Sequence, residues 1–295
     1  MTRSTDNDHF KLGLALVAGS AVLWSFGGTI ARFITVDDRW TVVFWRSCFA
    51  TAFLLIFMVL RDGLTSTADA FRNMGRPGLL VAACFAIAST AFVVALSYTT
   101  VANILLMQAG VPLLAALISW IMFRERTAFA TWVAIALVII GVGIMVSNTF
   151  TGKLSPIGDG LSLLIAFVFA VATVTTRRHR AIRMVPANTL AVAVAMVVSA
   201  FLATRFEVSW SDLAWLAAFG ALNLGLGLAL FSFGARMLPA AIAALVGVLE
   251  PVLGPVWVWL VHGEVPDHRT MMGGAVVFTA LVAHLIFELR ASRRT

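Results

Sequence analysis

Charge is what this chain lacks. Only 12% of its residues are Asp, Glu, Lys or Arg and 61% are hydrophobic, whereas a soluble domain carries about 25% charged residues. The deficit excludes a water-facing globular surface. Cysteine is nearly missing as well. Cys48 and Cys84 both fall inside apolar runs, so no disulfide framework and no metal spacing is encoded, and both read as inert buried thiols. No ATP-binding motif occurs, which leaves a gradient as the driving force for any work. The longest polar connection, Arg61 to Pro77, cannot hold a soluble catalytic or nucleotide-binding unit. An enzyme would need carboxylates, His or a nucleophile converging at one interface. The one acidic and His cluster, His262, Glu264, Asp267 and His268, lies in a short loop. We expect no enzyme activity, no cofactor, no metal and no nucleic-acid partner.

What is present is a series of apolar runs, near 12–34, 41–60, 78–98, 101–122, 129–147, 158–176, 187–204, 213–235, 240–261 and 270–288. Each suits a helix across the roughly 30 Å hydrocarbon core of a bilayer. Even Val- and Ile-rich stretches such as Trp132–Val146 must be helical there, because lipid offers their backbone groups no partner. The first run is too long for a signal-peptide core and lacks a cleavage site, so it reads as a retained span.

Orientation follows from the 21 Lys and Arg residues. Fifteen fall on one side: Arg3, Lys11, Arg61, Arg72, Arg76, Arg124, Arg126, Arg177, Arg178, Arg180, Arg183, Arg236, Arg290, Arg293 and Arg294. Six fall on the other: Arg32, Arg39, Arg46, Lys153, Arg205 and Arg269. The richer side is cytoplasmic by the positive-inside rule and holds both termini. Trp40, Trp45, Trp210, Trp215, Trp257 and Trp259 are placed near the outer interface, Trp120 and Trp132 near the inner one, and Trp24 in mid-span. The expectation is an all-α integral protein of the inner membrane, with ten spans.

An internal repeat is legible. Ala102, Pro112, Trp120, Glu125 and Thr131 recur as Ala241, Pro251, Trp259, Glu264 and Thr270, at a constant offset of 139 residues. Residues 1–150 and 151–295 thus form two halves of five spans. Five is odd, so the second half starts from the opposite side and the repeats are inverted around a central cavity. Such halves rock against each other to expose a central site alternately. An old duplication kept only for packing is the bland alternative.

The stretch Ala95-Leu96-Ser97-Tyr98-Thr99-Thr100-Val101-Ala102-Asn103, running on through Pro112 to Arg124-Glu125-Arg126, resembles the signature of the EamA domain. So does Leu238-Pro239-Ala240-Ala241, through Leu249-Glu250-Pro251 to His262-Gly263-Glu264. The resemblance spans essentially the whole chain as two tandem copies. It implies the drug/metabolite transporter superfamily, with its ten-helix fold, and within it most resembles YddG-type amino-acid exporters. The second copy departs by carrying His262 and Gly263 where the first carries Arg124 before its Glu.

Polar side chains at membrane depth mark candidate sites. Trp24, Gly28 and Arg32 share one face of the first span; the first two form an aromatic wall with room beside it, or ordinary packing. Arg32 reads as an outer-mouth residue, snorkelling to headgroups. In the fourth span Asn103 lies near the outer end, and Gln108 shares a face with the helix-bending Pro112. Gln108 bonds either irregular backbone or a substrate group. Asn223 lines the cavity or joins helices. In the ninth span Gly247, Glu250 and Gly254 share a face beside Pro251 and Pro255. Glu250 is a carboxylate for a substrate ammonium or a coupling proton, or a structural Glu. His284 is a second proton-relay candidate with packing as its alternative, and Thr173 and Thr176 read as backbone-bonded. Ala221/Gly225 and Gly141/Gly143 read as close-approach surfaces.

The expected activity is secondary transport: export of neutral or aromatic amino acids, or related small metabolites, by alternating access. Export of other amphipathic metabolites or drugs is the alternative, and a channel-like pore the rival of another class. With no deep Arg or Lys cluster, a polyanion such as a nucleotide-sugar is disfavoured. The expected assembly is a monomer or weak dimer.

Overall fold

The computed structural model describes residues 2–123, 129–150, 155–179, 182–238, 243, 246–247 and 249–292. Arg124, Glu125, Arg126, Lys153, Arg180, Pro239, Ala240, Ala241, Arg293 and Arg294 lie outside them, so the Glu125 and Ala241 positions of the repeat have no structural counterpart here. Among the described residues all regular structure is helical. The elements are α1 (Thr2–Ser25), α2 (Gly27–Phe33), α3 (Arg39–Asp62), α4 (Leu64–Arg72), α5 (Gly75–Ala95), α6 (Val101–Gln108), α7 (Val111–Phe123) and α8 (Phe129–Phe150). There follow α9 (Pro156–Arg178), α10 (Val185–Leu202), α11 (Trp210–Ala217), a π-helix (Ala218–Leu226), α12 (Gly227–Gly234), α13 (Leu249–His262) and α14 (His268–Ser292).

Six segments are long and apolar enough to cross a membrane: His9–Phe33, Arg39–Asp62, Gly75–Ala95, Pro156–Thr176, Val185–Leu202 and Trp210–Gly234. A seventh is the pair α6 and α7, bent by 41° at a short break. That bend falls where expected. Pro112 sits in the first turn of α7, cannot donate to the Gln108 carbonyl and disrupts the helix there. Pro251 likewise stands in the first turn of α13 and is buried. The chain is thus a multi-pass membrane protein.

Two features went unread in the sequence. The connection from Arg61 to Pro77 contains α4, which buries Thr67 and leaves Leu64 exposed. A short helix with one apolar edge lies along an interface rather than through it. The other feature is the nine-residue π-helix inside the span Trp210–Gly234. Runs of that length are unusual, since π geometry mostly occurs as single-turn bulges.

Packing follows a definite neighbour pattern. The main pairs are α5 with α9, α1 with the π-helix and α12, α3 with α10, α10 with α5, and α3 with the π-helix. Further pairs include α14 with α8, the most extensive of all, α14 with α6, α1 with α13, α9 with α6 and α7, and α13 with α6. The segments α12, α1, α13, α6, α9 and α5 therefore follow one another side by side, and α3 and α10 bridge the gap from α5 to the π-helix.

Small residues set these approaches, as they must where lipid removes the hydrophobic drive between helices. A Cβ on Gly141 would sit 2.7 Å from the Gly273 carbonyl, and one on Gly225 would sit 2.9 Å from Phe53. Gly143, read beforehand as part of the same surface, faces open space instead.

Candidate functional site

The first span is broken at Phe26, between α1 and α2. Its amide reaches only to the Leu23 carbonyl, at 3.3 Å, in a tight turn. A buried break needs partners for the backbone groups it frees. Asn223 of the π-helix supplies one: its amide nitrogen donates to the Leu23 carbonyl at 2.6 Å and the Trp24 carbonyl at 3.3 Å. Trp257 of α13 donates to Ser25 Oγ at 3.0 Å and stacks on Phe26 at 5.0 Å. Trp257 therefore faces the first span. The Trp24 indole lies over Gly227 and packs 5.4 Å from Phe231. Gly28 meets Val101 of α6, where any Cβ would overlap the valine methyls. Trp24, Gly28 and Asn223 are thus gathered around one break.

Asn103 is fully buried at the start of α6 and bonds elsewhere. Its amide nitrogen donates to Asp159 Oδ1 at 2.6 Å and Thr99 Oγ1 at 3.0 Å, while its own side-chain oxygen has no partner. Asp159, 3% exposed in the first turn of α9, went unnoticed in the sequence. It stands where polar end meets apolar span, so spacing alone did not separate it from a loop carboxylate. Gln108 ends α6 with its amide nitrogen buried and unbonded. Glu250 is half-buried in the first turn of α13, one turn from Gly247, beside which the space is open. Among the described residues nothing hydrogen-bonds to Glu250. Gly254, further along, packs against Leu105. His284 is buried in α14, whose neighbours are α8 and α6. Among the described residues no hydrogen bond joins Gln108 or Glu250 to the Trp24–Asn223 group. Thr173 donates to the Phe169 carbonyl at 2.8 Å.

The polar contacts that join the two halves are concentrated at one end. Arg32 pairs with Glu264 at 3.0 Å and donates to the Leu96 carbonyl at 3.2 Å. Its guanidinium is thus held by the protein at the end of the first span. Asp212 accepts from the Thr35 amide at 2.7 Å and hydroxyl at 3.0 Å, and from Ser209 at 2.7 Å. Asp38 caps α3 and accepts from the Thr204 amide at 2.7 Å and hydroxyl at 2.9 Å. Burial raises the Asp38 carboxyl, but the bonds from Thr204, Trp40 and Thr41 outweigh it and hold the pKa below the ordinary aspartate value. Thr41 donates to the Arg205 carbonyl, and Trp45 donates to the Phe206 carbonyl at 3.0 Å. His262 bonds the Thr29 carbonyl at 3.0 Å, and Arg269 donates to Ser147 at 3.1 Å. His262 and Glu264, read as part of a loop cluster, are thereby committed to the first span. At the opposite end, Arg183 lies 3.5 Å from Asp62 and the Arg61 guanidinium lies over Phe233.

Arg46, counted above with the arginines of the poorer side, is 5% exposed and two turns inside α3 rather than in a connection. A single arginine inside an apolar run looks, by position alone, like a residue near its end.

The helices match a known pattern along nearly their whole length. Residues 11–147 and 156–286 each match the family model described as the EamA-like transporter family. The chain belongs to that family. It carries two tandem EamA repeats and is a transporter rather than an enzyme. Among curated relatives, the pseudopaline exporter CntI of Pseudomonas aeruginosa UCBPP-PA14 is 26% identical over 289 residues, covering 94% of this chain and 96% of the relative. An uncharacterized transporter of Archaeoglobus fulgidus is 26% identical over 283 residues, covering 92% and 96%. A solved crystal structure at 17% identity superposes with a TM-score of 0.65 and covers 95% of this chain and 98% of that one. It shares the fold. The EamA assignment implies a small-molecule substrate and a protein embedded in the membrane.

Proposed function

We propose that this EamA protein is a ten-span exporter of neutral or aromatic amino acids, or related small metabolites, working by alternating access. In this reading its two halves are inverted, it sits in the inner membrane, and both termini are cytoplasmic. The neighbour pattern supports a two-fold relation between the halves, and five spans in each would invert one against the other. Exchanging each first-half segment for its second-half counterpart maps α5–α9 onto the π-helix and α12 against α1. It maps α10–α5 onto α3–π-helix, and α1–α13 onto α9 with α6 and α7. The pairs α3–α10, α6–α13 and α8–α14 map onto themselves. A chance arrangement of helices has no reason to show such a relation.

The single observation that carries the transport cycle is the one-ended closure. Ion-pair and hydrogen-bond links between halves cluster at Arg32–Glu264, Thr35–Asp212, Asp38–Thr204 and Asn103–Asp159. Carriers need one closed end and one end free to part. The pseudopaline exporter relative supports an export direction.

Counterflow in proteoliposomes against a panel of amino acids tests the reading. Saturable exchange of at least one neutral or aromatic amino acid is expected. Linear, non-saturating flux would replace it with a pore. Glu250 is the proposed proton-coupling group, supported by its half-buried, unbonded carboxylate beside open space at Gly247. Glu250→Gln is expected to flatten the pH dependence of transport. An unchanged pH profile would remove Glu250 from coupling.

A further inference from the structure

Arg46 has no assigned part in anything above. Its guanidinium has left the outer polar layer and entered the apolar interior, about 10 Å below the start of α3 at 1.5 Å per residue. It is held from two sides. Nη1 donates to the Ser89 carbonyl at 3.2 Å and to Ser89 Oγ at 3.1 Å, both on α5. The Phe219 ring of the π-helix lies 4.2 Å from the guanidinium carbon, and the Phe92 ring of α5 lies 5.8 Å away. The head therefore occupies the gap between α5 and the π-helix, which α3 and α10 cover from behind.

Its needs are unmet. A guanidinium offers five N–H donors and keeps its charge. Nε is buried with no partner, and among the described residues no carboxylate pairs with Arg46. An unpaired cation inside a membrane is costly and is seldom kept without use. Burial of Arg46 itself is nearly complete, whereas Ser89 and Phe92 beside it are only half-buried. On the same helix Ser47 Oγ and Thr51 Oγ1 are also buried without partners. A close approach holds the arrangement: a Cβ on Gly220 would collide with the Arg46 carbonyl and stand 2.8 Å from Phe49.

We propose that Arg46, with Ser89 and the Phe92 and Phe219 rings, is a carboxylate-binding subsite that takes the acid group of an amphipathic organic solute. The inference rests on reading the chain as a carrier and adds the chemical class of its substrate. The fork of a guanidinium matches a carboxylate in bidentate fashion. One lone cation suits one negative charge; a phosphate dianion would call for more positive charge than this gap holds. The aromatic faces on both sides suit an apolar body attached to that acid. Arg46 lies just beneath the layer of contacts that closes one end, so a bound carboxylate neutralises the buried charge in the closed state.

The test uses purified full-length protein with phenylacetate, phenylacetamide and phenethylamine as probes, read by ligand-induced thermal shift and tryptophan fluorescence. Wild type is expected to bind phenylacetate and to discriminate against the amide and the amine. Arg46→Gln is expected to weaken phenylacetate binding about 30-fold or more, the usual scale for removing one partner of a buried charge pair. Arg46→Lys, which keeps the charge and loses the fork, is expected to fall between them. A merely structural arginine would lower stability without changing the preference of acid over amide. Equal binding of acid and amide by wild type would overturn the proposal even if neither variant folds. So would unchanged preference in Arg46→Gln, or no binding of any probe. Counterflow of amines or amides alone, unaffected by Arg46→Gln, would sink the carboxylate site and leave the carrier intact. Absence of all counterflow alongside phenylacetate binding lost in Arg46→Gln would sink the carrier and leave the site.

Discussion

At the scale of single residues, most polar side chains within the bundle answer a local backbone need. Asn223 is the plain case. A broken first span leaves carbonyls that lipid cannot satisfy, and Asn223 meets two of them. Asp38 answers a helix start and a neighbouring loop together. Its carboxyl lies below the ordinary aspartate value because four bonds to the charged form outweigh burial. A lowered folded-state pKa means that stabilisation is full above the unfolded value, near 4, and is lost as pH falls through the folded one. Asn caps a helix as well as Asp does, so Asp38→Asn should cost only about 1 kcal/mol at neutral pH, the difference between bonds to a charged and to a neutral acceptor. The difference from wild type should shrink toward zero as pH drops below 4. Thermal unfolding in detergent from pH 7 to pH 3 measures it, and a pH-independent gap would show that shape rather than charge mattered.

At the scale of elements, the π-helix is the segment whose geometry decides most. It brings Asn223 to the break in the first span and Phe219 to Arg46. It does so while lying against α3 at Gly220, where no side chain fits. Gly220→Ala is expected to destabilise the protein by about 1–3 kcal/mol, as over-packing does. Gly143→Ala, in open space on the exposed face of α8, should be neutral or stabilise by up to about 1 kcal/mol through helix propensity. Parallel melting curves of the two variants check both statements, and similar shifts would contradict the packing account.

At the scale of the whole molecule, one end is held by contacts of unequal strength. The Arg32–Glu264 pair is partly exposed, with side chains at 32% and 23%, and such pairs contribute roughly 0–1 kcal/mol. Asp212 is 5% exposed and accepts from both Thr35 groups and from Ser209. Bonds to a buried charge contribute about 1.5–3 kcal/mol each. Asp212→Asn should thus open this end about tenfold or more, and Glu264→Gln less than about fivefold. Labelling of a cysteine placed at Trp257 by a membrane-impermeant thiol reagent reads the opening. Equal effects of the two substitutions would mean that burial does not rank these links.

Hydropathy alone determined that this chain is a bundle of membrane helices, because lipid forces every spanning backbone to close its own hydrogen bonds. The constant offset linking Pro112 to Pro251 made the repeat visible, and Pro112 marked a bend that the structure places beside it. Positions that depend on a partner were out of reach. Arg46 was counted with the charges of one side, Asp159 went unread and Trp257 was placed near the outer interface. Each acquired its role from a residue far away in sequence: Ser89, Asn103 and Ser25. Periodicity reports which face of a helix is apolar; only packing decides what stands opposite that face. The π-helix was hidden for the same reason. Its cost is met by contacts with α3 and the first span, and no local pattern in Ala218–Leu226 announces them.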